Sequence, residues 1–466
     1  MNQNTFRLRL IPRTLWLYVA MASALGFAHQ ASADDPAFVP RQALIRLAPG
    51  ASIGDFNAQY DTSVIESMPE RSIYLLALPE VPDEPTLVEL FDADPNVVYA
   101  DLNFFAEDTD ADGTTQDIFL ARSLEQYLGD PAISLVGSQA ANVSSRGGGI
   151  VIAVIDSGID ATHPLLSGRI APGGYNFIDN TTDTSDGGAG LFAGHGTMVS
   201  GIVLRIAPEA RVLPLRVLDS AGTTTTFRLS RAIFHAIDAG AHVINISLGT
   251  LADPSLLADA IAEASSSGVI VVAAAGNDDA QSPPRSPASL SSSGVIAVAA
   301  TDNQLIKADF SNYGSWVSIS APGVSIHGPF PGAAYSEATG TSFAAPLVSG
   351  AAALVLSSCP GIDSETARQL LTSTTQPIDD LNPSYPEMLG SGLIDCAAAV
   401  GLAINSESCS RCDGDFDSNG NSGVPDLFAF LSAWFAQSPL ADSNADGAIA
   451  VPDIFLFLAF WFAGCP

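Results

Sequence analysis

The sequence predicts an α/β fold, a parallel sheet with helices on both faces. A small α+β unit precedes it, and a small helical module built on two repeated loops follows. Three observations carry this reading. Continuous apolar runs of strand length (Ile150–Ile155, His242–Ile246, Val269–Ala274) alternate with helical stretches such as Phe227–Ala239 and Leu256–Ser267, and strands apolar on both faces belong to buried parallel sheets. Gly340-Thr341-Ser342 opens an apolar run to Leu356, enough for a buried helix of about four turns. Beyond Cys412 the composition changes abruptly and the chain repeats itself.

The chain has 466 residues, 18 basic against 50 acidic, and a net charge of −32. That length allows roughly two to four domains. The charge argues against nucleic acid or an anionic membrane surface as partner, since both need basic patches. Arg7, Arg9 and Arg13 precede an apolar run from Leu15 to Phe27 and then Ala31-Ser32-Ala33. This is the pattern of a secretory signal peptide, residues 1–33, cut after Ala33. The protein is therefore expected to be secreted, extracellular or attached to a cell surface. No other stretch approaches about 18 uninterrupted apolar residues, so no transmembrane segment is expected.

Residues 34–110 read as a β-α-β-α-β unit: strands at Gln42–Leu47, Ser72–Leu78 and Asn96–Leu102, helices at Ser52–Tyr60 and Pro85–Ala93. Its acidic exit, Ala106 to Gly113, is expected to be flexible and cleavable. Residues 111–405 form the α/β unit. In such sheets functional groups gather beyond the carboxyl ends of strands. Asp156, Ser247-Leu248-Gly249 and Gly276-Asn277 follow three successive apolar strands there.

Gly194-His195-Gly196-Thr197 opens an amphipathic helix running to about Ile206, and Ser342 stands at the start of the last apolar helix. Unpaired N–H groups at a helix start favour developing negative charge. Pro346 is placed in the first turn, where a missing N–H costs little. Singly, each residue has an ordinary reading: a helix cap at Ser342, a strand-end turn at Asp156, a helix start at His195, a Gly-Asn turn at Asn277. Jointly they supply a hydroxyl, an imidazole base, a carboxylate and an amide donor in the order Asp156, His195, Asn277, Ser342.

Asp156-Ser157-Gly158-Ile159, Gly194-His195-Gly196-Thr197, Ala275-Gly276-Asn277 and Gly340-Thr341-Ser342-Phe343-Ala344-Ala345-Pro346 together resemble the signatures of the subtilisin-like serine proteases. Val217-Leu218-Asp219, Ile246 to Gly249 and Phe310-Ser311-Asn312-Tyr313-Gly314 agree, and the chain order differs from the chymotrypsin-like and α/β-hydrolase orders. The resemblance implies a secreted endopeptidase acting on proteins or peptides without a catalytic cofactor. Ser342 would be the nucleophile, His195 the general base, Asp156 the group that orients it, and Asn277 an oxyanion donor. Ser247, Leu248 and Gly249 would form one wall of the primary specificity pocket, and Ala274, Ala275 and Gly276 the other. Their small side chains lead one to expect tolerance of large apolar residues before the scissile bond. Residues 34–110 would be an inhibitor-type propeptide of a self-processing zymogen, cut between about Phe105 and Gln116. Met198 stands where the family often has a second histidine. The acidic, glycine-rich loop Asp183–Gly190 reads as a solvated mobile loop, with calcium as a second reading. The alternative function is a catalytically silent binding or scaffold protein with the same fold.

After a linker at 406–411, residues 412–466 carry two loops 27 residues apart. Oxygen ligands at Asp415, Asp417, Asn419, Asn421 and Asp426, and at Asp442, Asn444, Asp446, Ala448 (through its carbonyl) and Asp453, match EF-hand calcium spacing, with aspartate at the twelfth position. Each loop leads into a helix, and Leu427, Phe430, Leu431 and Trp434 share one face of the first. The duplicated loop–helix pattern resembles a dockerin. This implies a cohesin-like or cell-surface partner, which the surplus of aromatic residues also suggests. Ser422 stands where an aliphatic residue normally closes the loop. Five cysteines in an exported chain suggest disulfides: Cys359 with Cys396 and Cys412 with Cys465 are possible pairs, leaving Cys409 odd.

Overall fold

The structure is a computed structural model. It describes residues 36–466 apart from 82, 109–118, 121–122, 187–191, 283, 407–408, 410–413, 418, 420, 445–447 and 464–466. The expected signal peptide, most of the expected cleavage segment, most of the linker, Asp446, Cys412 and Cys465 lie outside the described residues.

The N-terminal unit is an antiparallel sheet carrying two helices. Ser52 caps Ile53–Tyr60 by accepting from the N–H of Asp55, and Asp83 caps Glu84–Asp92 by accepting from that of Thr86. Phe56, Tyr60 and Phe91 interlock beneath them with ring centroids 4.6–5.1 Å apart. One strand, Ser63–Met68, is absent from the β-α-β-α-β reading. Among the described residues it pairs only with Ile73–Ala77, at the sheet edge, and Val64 and Ile65 are exposed. It therefore lacks the alternation that betrays a half-buried strand.

The last strand of this unit runs from Val97 to Asp108, well past its expected end. Ala106, Glu107 and Asp108 are not a loose exit. They insert between Thr223–Thr225 and Leu248–Gly249, antiparallel to both, which makes one six-stranded sheet spanning both units. Polar anchors flank the insertion. The Asp101 carboxylate accepts from the N–H of Leu256 (3.1 Å), and Asn103 Oδ1 accepts from that of Phe227 (3.2 Å). Each thereby satisfies orphan donors at a helix start. Arg46 pairs with Asp259 at 2.6 Å, Arg71 with Glu263 at 2.7 Å and Asp238 at 2.9 Å, and Arg231 with Glu66.

The central sheet has seven strands in the order Ile319–Pro322, Val295–Thr301, Ile270–Ala274, Val243–Ile246, Val151–Asp156, Arg211–Arg216, Tyr175–Asn176. All neighbours are parallel. One face is covered by helices Thr226–Asp238 and Ser255–Ser266, the other by His195–Ile206 and Thr341–Ser358. The chain leaves Val151–Asp156 toward Arg211–Arg216 and later returns to its other side at Val243–Ile246. The sheet's switch point thus lies beyond Asp156 and Ile246.

Helix Thr341–Ser358 is long and apolar enough to cross a bilayer, yet 89% of it is buried inside the protein. It is the core helix of the sheet, and fully burying side chains such as Leu347, Val348 and Leu354 stabilises the fold by roughly 2 kcal/mol each. It crosses His195–Ile206 at Gly350, where a Cβ would stand 2.5 Å from that of Ile206.

The C-terminal helices Val424–Phe435 and Val451–Ala463 pack through Phe430 and Phe457, stacked 4.1 Å apart. The 27-residue repeat is also a repeat of contacts. Trp434 Nε1 donates to Ala450 O (3.0 Å), and Trp461 Nε1 donates to Gly423 O (2.6 Å). Ser422 turns its hydroxyl to the carbonyls of Gly414 and Trp461, so a polar tie replaces the expected aliphatic closure.

The cysteine expectation changes. Cys359 ends the helix that begins at Thr341, and its thiol contacts that of Cys409 rather than Cys396, which is wholly buried. Treating the full chain with glutathione disulfide should join Cys359 to Cys409, read by peptide mapping without reduction. A Cys359–Cys396 bridge would contradict this arrangement.

Candidate active site

Asp156 ends strand Val151–Asp156, and its Oδ1 lies 2.8 Å from Nδ1 of His195. Both residues are sealed from water, at 1% and 0% exposure. A carboxylate only accepts, so Nδ1 carries the proton and Nε2 is the basic nitrogen. The Ser157 N–H donates to the same carboxylate oxygen at 2.7 Å. Helix His195–Ile206 comes this close because position 196 has no side chain: a Cβ there would stand 2.2 Å from Gly158 O.

Asp186 was not singled out by the sequence pattern, and it contradicts a wholly solvated Asp183–Gly190 loop. It is 7% exposed, and its carboxylate fastens the start of the His195 helix to the end of the Asp156 strand. Oδ1 accepts from Gly194 N–H (3.0 Å) and Ser157 Oγ (3.1 Å); Oδ2 accepts from Thr197 N–H (3.0 Å) and Thr197 Oγ1 (2.7 Å). A negative charge against orphan N–H groups at a helix start is favourable on both hydrogen-bonding and dipole grounds.

Asn277 and Ser342 are tied through Thr341. Asn277 Oδ1 accepts from the Thr341 N–H (3.0 Å) and hydroxyl (2.8 Å), while Thr341 Oγ1 accepts from Gly276 N–H (3.2 Å). A backbone N–H can only donate, so this fixes which amide atom is oxygen and turns Nδ2 the other way. Asn312 stiffens the same loop. Its Oδ1 accepts from the N–H groups of Asp278 and Ala280, and its Nδ2 donates to Ala275 O.

Pro346 is not in the first turn. It lies inside helix Thr341–Ser358, where its absent N–H leaves the carbonyl four residues back without a ladder partner. That carbonyl belongs to Ser342, and Ser247 Oγ donates to it at 3.0 Å. Ser342 Oγ in turn donates to Ser247 O at 3.3 Å. Asn245 supports the pair, donating to Ser247 Oγ (3.1 Å) and accepting from Ser349 Oγ (2.8 Å). The next residue, Phe343, packs its ring 5.2 Å from that of His195. Asp156, His195, Asn277, Ser247 and Ser342 thus meet at one rim of the sheet.

Ser247–Gly249 and Ala274–Gly276 lie at the ends of neighbouring parallel strands, and the space beside their glycines is not open and apolar. Arg285 lies there, 8% exposed, with its Cδ 3.1 Å from where a Cβ on Gly276 would stand. It contacts Asp278 through Nε (2.8 Å) and Nη2 (2.6 Å). Asp278 sits below the usual carboxylate range: burial opposes this, and Arg285 followed by Asn312 outweighs it. Met198 is a core residue whose sulfur accepts from Ser336 Oγ. His163 is buried against Ala334 O; His242 is exposed and accepts from Val151 N–H, which leaves both outside the Asp156–His195 pair.

In the C-terminal module, carboxylate oxygens of Asp415, Asp417 and Asp426 lie within 4.8 Å of one another, and Asp426 is wholly buried. Asp426 also accepts from Asp417 N–H and Gly423 N–H, and Asp453 accepts from Asn444 N–H and Ala450 N–H. The repeated acid therefore organises each loop in the same way. Asn419 and Asn421 are exposed beside the first carboxylate cluster.

Asp186→Asn should show how far the histidine depends on its anchor. One amide oxygen replaces two carboxylate oxygens that together accept four bonds, so the variant should lose about 2–4 kcal/mol of stability. Ser342 should also react more slowly with a fluorophosphonate. An unchanged melting temperature and labelling rate would remove Asp186 from this role.

A subtilase family model matches residues 147–393. The chain is 37% identical over 281 residues to subtilisin Savinase of Lederbergia lenta, an alignment spanning 58% of this chain and 97% of that one. It is 35% identical over 329 residues to an alkaline protease of Alkalihalobacillus alcalophilus, spanning 68% and 77%. In fold it is similar to fervidolysin of Fervidobacterium pennivorans, with TM-score 0.64 and 24% identity over 80% of this chain and 62% of that one. With a buried carboxylate–imidazole pair beside Ser342 and these relatives, the chain belongs to the subtilase family and is a subtilisin-like serine protease.

Proposed function

We propose that the protein is a secreted endopeptidase, made as a self-processing zymogen and carrying a calcium-dependent docking tail. The observation that carries the catalytic part is the buried 2.8 Å contact between Asp156 and His195 at the rim where Ser342 opens its helix. His195 Nε2 takes the Ser342 proton as Oγ attacks the scissile carbonyl, and Asp156 stabilises the imidazolium. The Asn277 amide and the Ser342 N–H receive the oxyanion. Losing one such donor typically costs about 10²–10³ in turnover, a magnitude measured in a subtilisin. His195 then protonates the leaving amine, and water repeats the sequence on the acyl-enzyme. Ser247–Gly249 and Ala274–Gly276 bind the substrate beside the scissile bond.

The zymogen reading rests on the insertion of Phe105–Asp108 between Thr223–Thr225 and Leu248–Gly249. An extended segment added to exposed strand edges is bound through its backbone, as a peptide substrate is. The N-terminal unit thereby blocks the cleft until the chain is cut beyond Asp108. Secretion rests on the charged, apolar and small-residue sequence of residues 1–33.

The tail reading rests on Asp415, Asp417 and Asp426, three carboxylates within 4.8 Å that a hard cation would neutralise. Asn419 and Asn421 extend this first loop, and Asp442, Asn444, Asp446, Ala448 and Asp453 form the second. Phe428, Phe435, Phe455 and Phe462, each 66–77% exposed, form the surface offered to a cohesin-like or cell-surface partner.

A fluorophosphonate should label the unaltered protein and not Ser342→Ala, which should also keep its N-terminal unit. No labelling of the unaltered protein at neutral pH would favour a catalytically silent scaffold. Calcium at about a hundredfold its Kd should stabilise the tail by about 2–3 kcal/mol. An unchanged tail melting transition after chelation would sink that part.

A further inference from the structure

Arg285 threads between the two walls of the cleft. Its Cβ is 3.3 Å from where a Cβ on Gly249 would stand, and its Cδ 3.1 Å from the matching point on Gly276. Asp278 holds two of its nitrogens, Nε and Nη2, which fixes the direction of the guanidinium fork. The remaining Nη1 reaches Glu107, 3.3 Å from Oε1. Glu107 is the residue of the inserted strand that pairs with Gly249 on one side and Thr223 on the other.

Backbone pairing holds an extended peptide whatever its side chains, so preference has to come from the side chains it meets. At this position the contact is a pre-oriented arginine on a protein whose net charge is −32. On the reading of Phe105–Asp108 as a substrate-like strand, we propose that Arg285 is a specificity residue that selects an acidic side chain at the substrate position pairing with Gly249. Asp278 offsets much of the arginine charge and the Glu107 side chain is half exposed, so the selection is modest. Ala106, immediately before it, is 1% exposed and packs into the apolar core of the central unit.

The test uses the processed full-length enzyme and three internally quenched peptides. One carries the chain's own sequence from Phe104 to Gly113; the others replace its glutamate as in Glu107→Gln and Glu107→Lys. The glutamate peptide should exceed the glutamine peptide in kcat/KM by about two- to fivefold and the lysine peptide by more. High salt should bring the ratios toward one. In Arg285→Gln the glutamate-over-glutamine ratio should fall to about one; if that variant does not fold, the peptide series on the unaltered chain decides alone. Equal kcat/KM for all three peptides would overturn the selection while leaving the protease intact. So would an enzyme that degrades casein but none of the three. No cleavage together with no fluorophosphonate labelling would overturn the protease reading, and the selection with it.

Discussion

The catalytic rim depends on one missing hydrogen bond. Pro346 withdraws an N–H from the ladder of helix Thr341–Ser358, and the carbonyl left behind is that of Ser342. A buried carbonyl requires a partner, because leaving it unpaired costs about 1–3 kcal/mol. Ser247 supplies the partner from the end of strand Val243–Ile246, and Asn245 and Ser349 hold Ser247 in turn. Satisfying one backbone group therefore fixes the serine helix against the strand ends. The helix that carries the nucleophile is thus anchored from within the core.

The histidine side follows the same logic with charge added. Asp186 is buried, so its carboxylate is stable only if fully hydrogen-bonded. Its four donors come from Ser157, Gly194 and Thr197, two elements that must be in register for Asp156 to reach His195. The serine and histidine helices also pack on each other, at Phe343 against the His195 ring and where Gly350 crosses Ile206.

The N-terminal unit and the tail use surfaces that the central unit leaves. Strand edges at Thr223–Thr225 and Leu248–Gly249 carry unpaired backbone groups, and Phe105–Asp108 satisfies them. Helix starts at Thr226 and Ser255 present orphan N–H groups, and Asn103 and Asp101 take them. The tail solves the same problem internally: each helix's tryptophan donates to the carbonyl that leads into the other helix. Its outward phenylalanines remain in solvent because two short helices have only one shared face to bury.

Much was legible in the chain itself. The parallel strands, the order Asp156, His195, Asn277, Ser342 and the paired acidic loops all follow from local patterns: continuous apolar runs, glycine-flanked polar residues and fixed spacings. Their legibility has a physical cause, since strand burial, helix starts and loop ligands are determined within a few residues. Asp186, Asn245, Arg285 and the Cys359–Cys409 contact were not legible, nor was the extension of the first unit's last strand to Asp108. Most owe their roles to partners distant along the chain: Glu107 meets Arg285 across 178 positions, and Ser349 meets Asn245 across 104. Sequence alone determined which chemical groups are present and at which strand and helix ends they stand. Only the tertiary structure decided which of them touch, because pairing of buried polar groups is settled by the packing of whole elements.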